Sequence, residues 1–306
     1  MKGLVTGVSA VAALTMAGHA NAVVLDGSIA GDGYGSAVSV QTVETGFGDN
    51  FSELNAAYAQ VSGGVLYLAL TGNLEGNFNK LNVFIDSVAG GENVLTNDAN
   101  NGGNNPENDG WAQRHAGMTF DTGFDADYLI ILRNGNFGGD RFDIDYAVVG
   151  GGLGAFEAAS DVFGGTLTGA NANALPINGI GVAFDNSNVA GIGGTAGNAA
   201  DPVAAQAVQT GIELAIPLAA LGNPNPADIK VSAMINGSNH DFLSNQILGG
   251  LPVGTGNLGG DGGGNWTGNL AGINLNQFPG NQYFQIPEPA SLALVGLGGL
   301  AMLRRR

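Results

Sequence analysis

Apolar positions along the chain fall in short runs, many of them alternating with polar or small residues, and the runs are separated by Gly, Asn and Asp clusters. A period of two over four to eight residues bounded by turn formers is the pattern of a half-buried strand. It predicts strands over 38–44, 54–61, 65–71, 81–86, 118–121, 127–133, 142–149, 179–184, 206–216, 229–235 and 282–286. Long 3.6-residue periodicity is missing. A short helix is expected over 153–160, and a helical turn over 217–222, opened by Pro217 and stopped by Gly222. About ten strands without a helical repeat predict an all-β fold, an antiparallel two-sheet β-sandwich of jelly-roll type, with a barrel as the second choice.

The two ends break this pattern. Residues 1–22 read as a signal peptide: Lys2, an apolar stretch over 4–17, then Ala20-Asn21-Ala22 as an A-x-A cleavage site. That implies the Sec translocon and signal peptidase as partners and a secreted domain over 23–285. Residues 286–306 carry Pro287-Glu288-Pro289, an apolar run over 290–303 and then Arg304, Arg305 and Arg306. As a helix, a run of this length reaches about 21 Å, short of a hydrocarbon core of about 30 Å. It is a marginal span, suited to transient membrane insertion, with the arginines held on the cytoplasmic side.

This three-part order closely resembles the PEP-CTERM sorting domain of exopolysaccharide-producing Gram-negative bacteria. The resemblance implies an exosortase that recognises Pro287, Glu288 and Pro289 and delivers the protein to the cell surface or extracellular matrix. In the centre, residues 54–58, 65–71, 83–86 and 211–222 are similar to family nine carbohydrate-binding modules and DOMON-type sandwiches. The paired tryptophans that would sandwich a sugar are not evident, since Trp111 and Trp266 are the only two.

Composition narrows the reading. Apolar residues make up 44% and charged residues 11%, with 54 glycines, which fits short strands and tight turns rather than a disordered chain. No cysteine is present, so an exported domain of this kind relies on its core, on metal, or on both. Without Lys2, Glu288 and Arg304 to Arg306, the nine basic residues fall to five and the 26 acidic residues to 25, a net charge of −20. Such a surface excludes nucleic acid as a partner.

Candidate chemistry is sparse. Asp86, Asp98, Asn100, Glu107 and Asp109 provide the oxygen ligands that Ca2+ would take, although their spacing matches no EF-hand loop. Asp125/Asp127 and Asp143/Asp145 each place two carboxylates on one strand face, either for acid–base work on glycosides or, more simply, as solvated outer-face residues. Ser238-Asn239-His240-Asp241 has the residue types of a triad, but neighbours on an extended chain face apart. Trp111, Trp266, Tyr34, Phe137 and Tyr283 are candidate stacking residues, Trp266 foremost because it follows a glycine-rich loop. No nucleophile elbow, metalloprotease helix or phosphate loop is present. The expectation is a non-enzymatic surface or matrix protein associated with exopolysaccharide, with a polysaccharide-active enzyme as the alternative.

Overall fold

A computed structural model describes residues 22–98, 110–152, 156–165, 170–174 and 178–288. Thirteen strands run in chain order: β1 Ser39–Val40, β2 Glu53–Ser62, β3 Val65–Asn73, β4 Lys80–Asp86, β5 Tyr128–Asn136, β6 Asp140–Val148, β7 Phe156–Ala159, β8 Ala170–Ala174, β9 Gly181–Asp185, β10 Gly211–Pro217, β11 Lys230–Asn236, β12 Leu243–Leu248 and β13 Phe284–Gln285. They form two antiparallel sheets, ordered β1-β2-β3-β10-β9-β8 and β12-β11-β4-β5-β6-β7, with β13 paired to β11. The expected two-sheet sandwich is therefore the fold.

The alternation read in the sequence decides which side chains meet. Leu66, Leu68 and Leu70 of β3 and Ile212, Leu214 and Ile216 of β10 point inward from the first sheet. They meet Leu81, Val83 and Ile85 of β4 and Ile130 and Leu132 of β5 from the second. Burying each such side chain contributes about 2 kcal/mol. The outer face of the second sheet is covered as well. Phe84, Leu129, Ile131, Ala147 and Met234 pack beneath Met118, Phe120, Phe124, Leu258, Leu270 and Ile273, giving a second core. Residues within 87–98, 110–126 and 250–283 supply that layer.

Several expected elements change character. Residues 156–159, expected as helix, form β7 and pair with β6. The expected strand over 118–121 reduces to bridges from Thr119 to Val94 and Asn274, because these residues cover a sheet instead of joining it. The front of the expected 206–216 strand is the end of helix α2, Pro202–Ala207, whose first amides are capped by Asp201. A second short helix, α1, spans Trp111–His115. The turn over 217–222 is present as 3₁₀ helix Leu218–Leu221, closed by Gly222 at φ 77°.

Candidate functional site

The chain leaves the body at the β11–β13 edge. Lys230 and Val231 pair with Gln285 and Phe284, and the Ile286 amide donates to the Ile229 carbonyl at 2.9 Å. Ile286 is 1% exposed and belongs to the inter-sheet core. Pro287 and Glu288, the next two residues, are exposed. The proline explains the break, since it has no amide with which to continue the ladder. Thus the last core residue and the first residue of the expected sorting motif are neighbours, with no spacer between them. Pro289, Arg304, Arg305, Arg306 and the 290–303 run lie outside the described residues, as does nearly all of the expected signal peptide. Among the described residues, no helix is long and apolar enough to cross a membrane.

The expected calcium ligands are not assembled by the described part of the chain. Asp86 sits at the end of β4, where its Oδ2 is 2.9 Å from the Lys230 ammonium and accepts the Asp125 amide at 3.2 Å. Asp98 accepts the Gly152 amide at 2.9 Å. Asn100, Glu107 and Asp109 lie outside the described residues. Among those described, no group of three or more His, Asp or Glu side chains is placed to hold a metal.

Of the paired acids, Asp125 is exposed, whereas Asp127, Asp143 and Asp145 are buried. Asp143 and Asp145 do share the outer face of β6, but each is 1% exposed. Both are bound by Arg133, whose Nε lies 3.2 Å from Asp143 while its Nη1 makes a short contact to Asp145. Arg141 adds a second clasp on Asp143 at 2.8 Å. Both carboxylates thus act as ion-pair acceptors for guanidinium groups. Asp127 is spent on the amides of Ser87 and Val88, at 2.8 and 2.9 Å, and burial pushes its carboxyl up from the ordinary value. His115 and His240 are both fully buried, with ring centroids 5.2 Å apart, so His240 is not part of an exposed triad with Ser238.

The two tryptophans part company. Trp111 is 1% exposed; it opens α1 and packs in the second core, so it offers no stacking face. Trp266 is 67% exposed. Its loop, expected to be flexible, is pinned from within. Asp261 Oδ1 accepts the amides of Gly263 and Asn265 at 2.9 and 3.0 Å, its Oδ2 accepts from the Asn265 side chain at 2.7 Å, and the Gly260 amide donates to the Asn265 carbonyl at 2.8 Å. These contacts hold the Asp261 carboxyl below its ordinary value. Beside the indole, the Arg114 guanidinium donates to the Gly268 carbonyl. Gly268, at φ 82°, lies within reach of both: a Cβ there would stand 3.7 Å from the indole and 4.0 Å from Arg114 Nη1.

Comparison with known families matches residues 285–306 to the PEP-CTERM protein-sorting motif. Comparison with curated proteins and with solved structures gives no match, so the resemblance to carbohydrate-binding modules and DOMON sandwiches gains no support. The chain carries the PEP-CTERM motif and is an exported protein sorted by exosortase to the surface of a Gram-negative cell.

Proposed function

We propose that this exosortase-sorted protein is a non-enzymatic component of the cell surface or extracellular matrix that associates with exopolysaccharide. The observation that supports it is Trp266, an exposed indole on an internally pinned loop beside a cation. A rigid aromatic face stacks on sugar rings at small entropic cost. Of the two acid pairs that an enzymatic reading would use, Asp143 and Asp145 are engaged by Arg133 and Arg141, and in the other Asp127 accepts the amides of Ser87 and Val88.

The test is incubation of the secreted protein with the polysaccharide of its own host. Retention without cleavage is the expected result, and Trp266→Ala should weaken retention by tenfold or more while leaving the melting temperature unchanged. Release of new reducing ends would sink the non-enzymatic reading. Ca2+ enters this proposal through the oxygen-rich set Asp86, Asp98, Asn100, Glu107 and Asp109. A chelator should then lower the melting temperature of the calcium-loaded protein by several degrees, and an unmoved transition removes the ion from the proposal.

A further inference from the structure

Five basic residues serve the whole of 23–285, namely Lys80, Arg114, Arg133, Arg141 and Lys230. Three of them, Lys80, Arg133 and Arg141, line one groove of about 470 Å³ at an end of the second sheet. In a chain so short of cations, this concentration follows from strand register. Lys80 of β4 lies directly opposite Arg133 of β5, and Arg133 lies opposite Asp143 of β6. Like charges directly opposite one another destabilise a sheet. Asp143 and Asp145 offset part of that cost through their ion pairs with Arg133 and Arg141. Arg141 keeps capacity for a further partner. Its Nε is on Asp143 and its Nη2 donates to Ser160 Oγ at 3.0 Å, while its Nη1 makes no hydrogen bond among the described residues. The side chain is 37% exposed.

The remaining walls are polar or aromatic. Phe137, at the tip of the β5–β6 hairpin, is 83% exposed. Phe78 lies across Gly135, where a Cβ would come within 2.2 Å of its ring, and it holds the left-handed φ of 67° that a bulky residue rarely adopts. Asn77, Ser238 and Asn239 add exposed donors and acceptors. A guanidinium edge beside an exposed aromatic ring is matched by a ring-shaped, hydroxylated ligand that carries a carboxylate. The volume falls within the range of about 300–1,000 Å³ typical of small-ligand sites.

We infer that this groove is a binding site for carboxylated sugars, such as the uronic acid units of an anionic polysaccharide, with Arg141 as the carboxylate anchor and Phe137 as the stacking face. The inference rests on the saccharide association proposed above and names its ligand class and a second place where it occurs. The experiment measures binding of a galacturonate hexamer and of uncharged cellohexaose to the full chain in detergent by calorimetry, in low and moderate salt. The variants are Arg141→Gln, Phe137→Ala and Trp266→Ala. Asp143 retains Arg133 in the first, and the second removes a side chain that is mostly in solvent, so both should fold.

The expected result is binding of the uronate that weakens with salt and falls tenfold or more in Arg141→Gln and in Phe137→Ala, with Trp266→Ala unchanged. Equal uronate affinity in wild type and Arg141→Gln, or no uronate binding at all, would overturn the site. Cellohexaose bound as tightly as the uronate would overturn the carboxylate specificity and leave the general saccharide association standing. Uronate binding that depends on Arg141, in a protein that ignores its host polysaccharide, would keep the groove and remove the proposed function.

Discussion

Glu213 is an acid placed where water cannot reach it, and its partners explain why it is tolerated. Its Oε2 accepts the amides of Asp26, Gly27 and Ser28 at 3.0, 2.7 and 3.2 Å, and the Tyr34 hydroxyl donates to Oε1 at 2.7 Å. One side chain on β10 thereby fastens the segment around 26–34 to the first sheet. Burial still raises its carboxyl above the ordinary value, and it does the same to Glu53, Asp121 and Asp127. An acid whose folded value is raised binds its proton more tightly when folded. Its stabilising effect is complete below the unfolded value, near 4, and is lost as pH rises through the raised value. The melting temperature should accordingly be higher at pH 5 than at pH 8, and Glu213→Gln should flatten that dependence; a melting temperature that falls on acidification would contradict the assignment. None of this was legible in the sequence. Tyr34 and Glu213 stand 179 positions apart, and local pattern is silent on contacts at that distance.

At the scale of elements, the sequence was informative for the long strands that pair side by side within the two sheets. Residues 54–61, 65–71, 81–86 and 229–235 were expected within one or two positions of β2, β3, β4 and β11. It was misleading for a segment that itself forms the third layer. Residues 118–121 have strand-like composition because they bury apolar groups, but they bury them on top of a sheet. β12 has no alternation to read, since Leu243 to Leu248 are buried on both faces and Ser244, Asn245 and Gln246 are held there by hydrogen bonds. The same cover hid the character of Trp111, and the clasp of Arg133 and Arg141 hid that of Asp143 and Asp145. Trp266 and Phe137 were accessible to sequence reasoning, because glycine-rich turns cannot bury a large ring unaided. The junction at Ile286 carries the clearest consequence for an element. With no spacer before Pro287, a processing enzyme must work against the folded body or wait for β13 to detach. Insertion of a six-residue Gly/Ser spacer after Ile286 should speed processing several-fold in a pulse-chase measurement. An unchanged rate would show that β13 does not obstruct the motif.

For the whole molecule, the absence of cysteine is met by two stacked apolar cores, one between the sheets and one above the second sheet. The outer core lends the Trp266 loop a firm base through Leu258 and Leu270, which flank it in sequence and are both fully buried. It also fixes the direction in which the molecule faces. β11 begins at Lys230, beside the departing chain, and ends at Asn236, opposite Lys80 in the row that borders the groove. The seven-residue strand separates the two by about 20 Å. A processed C-terminus joined to a surface would leave the body at the end of β11 away from the groove. If the groove binds uronates as proposed, a long polymer passing over many surface-bound copies would meet many identical grips at once. Each grip can then be weak and quickly reversible while the strand as a whole is held about 10²–10⁴ times more firmly than by one copy alone, and a detached monomer would lose nearly all of that hold.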